Sequence, residues 1–250
     1  MTPPNDAAAS AETARQQRLF VKNARNLSRA ASGADTSTSN ERLPIPSQNS
    51  SGCPVIGAGA QALNEKNMMP VDNNKPVFPE QTKPLDATRV VSSIPNKSAE
   101  NWMYPSPQMF YNAMKRKNWQ PAEEDMNAIV AIHNATNERV WSLIRAWEAE
   151  QGCREPRLIR FQGLPKKYSP KARILNLLAN KRLPFDRHDW IVERCGKGEV
   201  RYVIDFYTGA AGPGQPAAIH LDVRPALDSP SLLAERLFMQ AKHMRDMLMG

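Results

Sequence analysis

The chain has 250 residues, 41% of them hydrophobic, and a net charge of +8, so it can bury a sizeable core and suits an acidic partner surface, anionic lipid or nucleic acid without choosing among them. No run of 18 apolar residues occurs, which excludes a membrane-spanning helix by length and leaves peripheral attachment as the membrane option. Cys53, Cys153 and Cys195 are widely spaced with no CxxC; this pattern indicates neither a disulfide framework nor a zinc site and leaves at least one thiol free.

Residues 1–50 are rich in Ala, Ser, Thr, Asn and Arg, with one short apolar patch at Leu19, Phe20 and Val21, and read as disordered. Within them, the arginine-bearing, acid-poor stretch from Ala11 to Ala31 has the composition of a mitochondrial presequence. Cys53-Pro54 then stands alone among small residues. The proline limits helix formation there, and taken by itself the residue reads as a loop cysteine. Gly57 and Gly59 spell GxG without a preceding strand or a third glycine, so no dinucleotide site is expected. The proline-rich stretch from Pro70 to Pro95 reads as an extended linker. The expected division is therefore a largely disordered region over 1–96 and a folded domain over 97–250.

The folded part is organised around Asn101–Trp147, which gathers four of the five tryptophans. Ser106 as N-cap and Pro107 at the first helical position predict a helix from 107 to 117, with Met109, Phe110, Ala113 and Met114 on its apolar side. Farther on, Met126, Val130, His133, Asn137, Val140, Trp141 and Ile144 recur at three- and four-residue steps, so His133 points where apolar side chains point. A buried neutral imidazole needs a partner for its nitrogens, either a backbone carbonyl or a metal. Asn134, Thr136 and Asn137 compete with helical hydrogen bonds; they predict a break that ends one helix at His133 and starts another running to about Glu148, with His133 at the joint.

Beyond this lie a short strand over 157–161, a helix over 170–180 capped by Ser169-Pro170, and strands over 189–194 and 200–207 closing on Gly196-Lys197-Gly198. A strand over 219–223 and an amphipathic helix over 231–247 complete the chain. The fold class is α+β, an antiparallel sheet with several helices behind a long disordered N-terminal region. His188, between Asp186 and Asp189, reads either as an oriented acid-base imidazole or as a loop histidine ahead of a strand. His220 and His243 are given no role. The basic residues Lys115, Arg116, Lys117, Arg139, Arg145, Arg194 and Arg201 read as solvated or cross-strand charges. Glu123, Glu124 and Asp125 form a local acidic patch. No GxSxG, HExxH or Walker pattern is present, so hydrolase and nucleotide chemistries lack support.

The runs WMYPSPQMFYNAMKRKNW, EEDMNAIVAIHNATNERVW, LIRFQGLPKKYSPKARI, LPFDRHDWIVERCG, EVRYVIDFYTG and LDVRPALDS, in one order from Asn101 to Ser229, resemble holocytochrome c synthases, also called cytochrome c haem lyases. The resemblance implies a mitochondrial lyase domain over 97–250 that joins the vinyl groups of haem b, bound as substrate through its iron, to the CxxCH cysteines of apocytochrome c or c1. It implies His133 as the iron ligand, Trp102 and Tyr104 packed on or beside the macrocycle, and Asn134 at the same site. Glu138 would orient the imidazole or a water, one or two of the basic residues named above, Arg194 and Arg201 among them, would meet the propionates, and Cys53 resembles a haem regulatory motif, in which a thiolate binds ferric iron weakly. Partners are then apocytochrome and haem, with no nucleic acid. The location implied is the intermembrane space, peripheral on the inner membrane, with targeting information kept in the mature chain. A noncatalytic haem-binding chaperone is the alternative.

Overall fold

The computed structural model describes residues 73–165, 167–179, 181–209 and 219–249, together with the backbone of two short strands, Leu63–Asn64 (β1) and Met69–Pro70 (β2), which pair antiparallel. Val91–Pro95 (β3) and Asn101–Met103 (β4) form a second antiparallel pair. Then come Pro107–Arg116 (α1), a 3-10 turn Glu123–Asp125, Met126–Glu150 (α2), Arg157–Gly163 (β5) and Pro170–Ala179 (α3). Asp186–Glu193 (β6), Glu199–Thr208 (β7), Ile219–Pro225 (β8) and Pro230–Met249 (α4) complete the order. The expected α+β class is what is found, with a four-stranded antiparallel sheet in the order β5-β6-β7-β8. The disorder expected over 1–62 and the Cys53-Pro54 motif lie outside the described residues.

Alternation along β6 and β7 decides the layering. Trp190 and Val192 on β6, and Tyr202, Ile204 and Phe206 on β7, turn to one face and bury against Val140, Trp141 and Ile144 of α2, because side chains two apart share a face of a sheet. Arg187, Asp189, Arg201 and Asp205 turn to the other face, where they pair with one another and with Arg224 and Asp228 under α3. The β6–β7 connection needs left-handed backbone at Gly196 (φ 77°) and Gly198 (φ 101°), which glycine adopts without a Cβ clash. Ser106 caps α1 by accepting from the Met109 amide at 3.1 Å, and Ser169 caps α3 through the Ala172 amide at 3.2 Å.

Three expectations are corrected. First, α2 is one helix of 25 residues, unbroken at Asn134. The polar side chains there bond back along the helix instead of ending it: Thr136 Oγ1 donates to the Ile132 carbonyl (2.7 Å) and Asn137 Nδ2 to the His133 carbonyl (2.8 Å). Second, the stretch expected as a linker up to Pro95 is folded from Asn73 onward. Asn73 is buried and donates to the Met109 carbonyl, Asn112 donates to the carbonyls of Asn73 and Lys75, and Gln81 bonds Gln108. Ile94 of β3 enters the main core, so the folded part begins well before residue 97. Third, Cys153 and Cys195 form a disulfide with Cα atoms 5.5 Å apart. It ties the end of α2 to the β6–β7 turn, and the 42-residue separation is why spacing gave no sign of it.

Candidate functional site

His133 sits mid-helix in α2, half-buried, with rings on two sides. Phe110 of α1 meets it edge-on at 5.0 Å between centroids, and Tyr104, just after β4, at 6.0 Å and 83°. Its Nδ1 lies 3.1 Å from Asn134 Oδ1 and its Nε2 lies 3.1 Å from Asn137 Nδ2. One tautomer satisfies both contacts: Nδ1–H donates to Asn134, and the Nε2 lone pair accepts from Asn137. Burial pushes the imidazole pKa down to about 4, the Asn134 contact opposes the shift, His188 adds to it and Asp186 opposes it. His133 is therefore neutral near pH 7 with a lone pair on Nε2, the form in which histidine binds metals.

The influence of His188 and Asp186 on His133 has a geometric origin. Arg194, just past β6, pairs with Glu148 near the end of α2 at 2.7 and 2.9 Å. From Glu148 back to His133 is fifteen helical positions, roughly 22 Å at about 1.5 Å each. From Arg194 back to His188 is six strand positions, roughly 20 Å at about 3.3 Å each. His188 shares the inward face of β6 with Trp190, so the two imidazoles belong to the same end of the helix–sheet interface. Its Nε2 is 3.2 Å from Asp186 Oδ2, its ring meets Phe206 edge-on at 5.1 Å, and its Nδ1 is buried without a hydrogen-bond partner among the described residues. An orphaned buried nitrogen costs about 1–3 kcal/mol, and such costs concentrate where a group has chemical work.

The other expected residues divide into those the fold brings here and those it takes elsewhere. Trp102 donates from Nε1 to the Leu158 carbonyl (3.0 Å) and packs edge-on to Phe161 at 5.5 Å, which in turn meets Trp190 at 6.3 Å. Tyr104 is buried and donates its hydroxyl to Glu138 at 2.9 Å. Glu138 does not act on the His133 ring as expected. Five positions on, it faces another side of α2 and accepts from the Ser93 amide at 2.9 Å, the Ser93 hydroxyl and Tyr104; these bonds hold its carboxyl below the usual range against the opposing effect of burial. Its place is to fix the Tyr104 ring beside His133, and the carbonyl that orients the imidazole belongs to Asn134.

Arg194 stands at the far end of α2, committed to Glu148 and to Glu235 of α4, so it is not beside His133. The acidic patch is also occupied. Glu123 accepts from the Thr82 and Lys83 amides, and Glu124 pairs with Lys83 at 3.7 Å. Sequence reading passed over Phe110 as ordinary apolar packing and Asn137 as a helix breaker; the helical steps of four between 133 and 137 were the signal for Asn137. His188 carried its signal in its flanking aspartates, although only one of them, Asp186, turns to the ring.

What the fold and this cluster define is an α+β protein that offers a neutral nitrogen ligand among flat apolar rings, with a second imidazole close by. The model for the family described as Cytochrome c/c1 heme lyase matches residues 3–240, and the chain belongs to that family. The chain is 48% identical over 198 residues to the holocytochrome c-type synthase of Gallus gallus, covering 74% of this chain and 71% of that protein. It is 56% identical over 142 residues to the putative holocytochrome-c1 synthase of Schizosaccharomyces pombe, covering 56% of this chain and 64% of that protein. Against the holocytochrome-c synthase of Saccharomyces cerevisiae it is 38% identical over 214 residues, with 75% and 79% covered. No solved structure matches the chain. By family the protein is a haem lyase, an enzyme of cytochrome c maturation.

Proposed function

We propose that this haem lyase attaches haem b to apocytochrome c or c1 with His133 Nε2 as the axial ligand on one face of the iron. The observation that carries the reading is the state of that nitrogen: neutral, holding a lone pair, oriented from the far side of the ring by Asn134 and met by the Asn137 side-chain amide, whose place at that nitrogen the iron would take. Tyr104 and Phe110 flank the ligand with apolar ring surface that suits a porphyrin. Trp102 extends this surface on the same side of the chain as Tyr104, two residues away.

Haem supplies the vinyl groups, and the protein supplies placement. The histidine of the apocytochrome CxxCH motif takes the open axial position, which sets each thiol beside a vinyl group; placement of this kind lowers a barrier by several kcal/mol (about 7–11 at best). In each addition, sulfur bonds to the vinyl carbon attached to the ring and a proton adds to the terminal carbon. The thiol loses one proton and the vinyl gains one, with no net redox change. We assign that transfer to His188, on the support of Asp186 beside its Nε2 and of an Nδ1 with no hydrogen-bond partner among the described residues, which would accept the thiol proton and return it. Cys53 is proposed as a further, weaker thiolate contact for haem. The protein works in the mitochondrial intermembrane space, peripheral on the inner membrane; among the described residues no helix is long and apolar enough to cross a membrane.

The test is to purify His133→Gly alongside the parent with haem present. Loss of the low-spin, histidine-type haem spectrum in the variant supports the assignment, and retention of it removes the ligand role. In the same assay, supplying reductant and an apocytochrome peptide with CxxCH leaves haem that acid-acetone does not extract. Haem that remains extractable identifies a carrier, not a synthase.

A further inference from the structure

Helix α3 is held to the rest of the protein by little of its own apolar surface. Of its ten residues only Ala172 is buried, while Ile174, Leu177 and Leu178 are 55%, 82% and 78% exposed. These three fall at steps of three and four, so they form one ridge, on the side away from Ala172 at about 100° per residue. Four aliphatic positions in ten, counting Leu175, is the content of a core-facing helix, yet the ridge packs against nothing among the described residues.

The charge around it is one-sided. From Leu164 to Pro184 the sequence holds six cations, Lys166, Lys167, Lys171, Arg173, Lys181 and Arg182, and no Asp or Glu. Lys171 pairs with Asp222 of β8. Lys167, Arg173, Lys181 and Arg182 are exposed and have no ion-pair partner among the described residues. Across a cavity of about 360 Å³, lined on one side by Ile174 and Leu175 and on the other by Arg236, lies α4. That helix packs inward through Leu232, Glu235 and Lys242 and leaves Leu237, Phe238, Met244 and Leu248 53–88% exposed on its other side. The cavity's own cations are largely matched by Asp189, Asp205, Asp222 and Asp228; its significance is that it joins the two helices into one face.

We propose that this α3–α4 face is the surface by which the protein docks on a membrane containing anionic phospholipid, with the Ile174–Leu177–Leu178 ridge entering the interface and Lys167, Arg173, Lys181 and Arg182 meeting the headgroups. The proposal rests on the peripheral location given above and assigns it a surface. An exposed aliphatic ridge bordered by cations without ion-pair partners among the described residues suits a fluid, negatively charged partner, which needs no complementary groove. The α3 segment packs on the face of the sheet opposite α2, through Ser169 with Asp205 and Arg224 and through Lys171 with Asp222, so its ridge points away from the face that carries His133 and His188.

The experiment is flotation of the purified full chain with vesicles of phosphatidylcholine alone and of phosphatidylcholine with about one-third phosphatidylglycerol. The parent is expected to float with the anionic vesicles only, and less so as salt is raised. The double variant Leu177→Asp, Leu178→Asp, whose sites are on the surface, is expected to lose binding by at least about tenfold. Lys181→Glu with Arg182→Glu is expected to lose a similar factor, at about fivefold per cation. Both should retain haem attachment to a soluble apocytochrome peptide. If the parent floats and the variants float equally well, this surface is wrong while peripheral attachment stands. If the parent floats with neither vesicle, peripheral attachment falls and this surface with it. Variants that float like the parent but fail to attach haem would make the ridge an apocytochrome contact and overturn the proposal.

Discussion

His133 shows how one side chain acquires its state from its surroundings. Burial works against the imidazolium, so the folded-state pKa is about 4, against 6.5 for the free group. Between those values the unfolded chain takes up a proton that the native protein refuses. The stability linked to His133 is therefore whole above about pH 6.5 and is lost as pH falls toward 4. His133→Gln, which cannot titrate, is expected to flatten that part of the profile, read as the urea midpoint at intervals from pH 7 to pH 4. His188 makes a different demand. If Nδ1 moves the thiol proton, His188→Gln keeps the haem-bound spectrum while the rate of thioether formation drops by about 10²–10⁴-fold. A rate equal to the parent's, with the haem-bound spectrum kept, would mark the residue as packing alone.

Among the elements, α2 bears the most, and its two ends are secured differently. At its start, Glu123 ties the 73–90 segment to the 3-10 turn, and midway along it Glu138 ties β3 and Tyr104 to the helix face. At its end, the Cys153–Cys195 disulfide closes a loop of 42 residues' separation onto the β6–β7 turn. Chain entropy for such a loop is roughly 4 kcal/mol. Cys153→Ser is expected to lower unfolding stability by about 2–4 kcal/mol, and reductant should bring the parent down to the variant's value in the same denaturation experiment. Equal stability of the parent with and without reductant would show that the bond contributes nothing.

For the molecule as a whole, the sheet separates two jobs. One face, covered by α2, carries the core and, at one end, both histidines; the other carries paired charges and α3. The far end is closed by a buried cluster in which Glu148, fully inaccessible, accepts from Arg194 twice and from the Tyr202 hydroxyl, while Arg194 also reaches Glu235 on α4. One carboxylate thus joins α2 to β7 through the Tyr202 hydroxyl and to α4 through a single guanidinium. Glu148→Ala leaves that guanidinium with Glu235 as its one carboxylate partner among the described residues and is expected to cost about 3–5 kcal/mol, measured by chemical denaturation, with haem binding by the residual folded protein unchanged because His133 lies at the other end of α2.

Much of this architecture could be read locally. Ser106-Pro107 and Ser169-Pro170 start helices because a hydroxyl cap and a fixed proline φ act within one turn. The strands after Arg157, around Trp190 and Tyr202 and before Pro225 declare themselves by alternation, since one of their faces is buried. His133 could be placed on the apolar face of its helix by counting alone. Pairing was not legible. Asn134, Thr136 and Asn137 read as breakers because nothing local shows that their side chains will bond along the helix and to the histidine. The residues before Pro95 read as linker because their hydrogen bonds go to α1, more than 25 positions away. Glu138 with Tyr104, Glu148 with Arg194 and Cys153 with Cys195 are separated by 34, 46 and 42 positions. The sequence by itself determined which segments become helices and strands and which faces they bury, because those depend on neighbours a few residues apart. Which charges, thiols and imidazoles meet was decided only when the sheet docked on α2, because that contact sets distances that no local preference encodes.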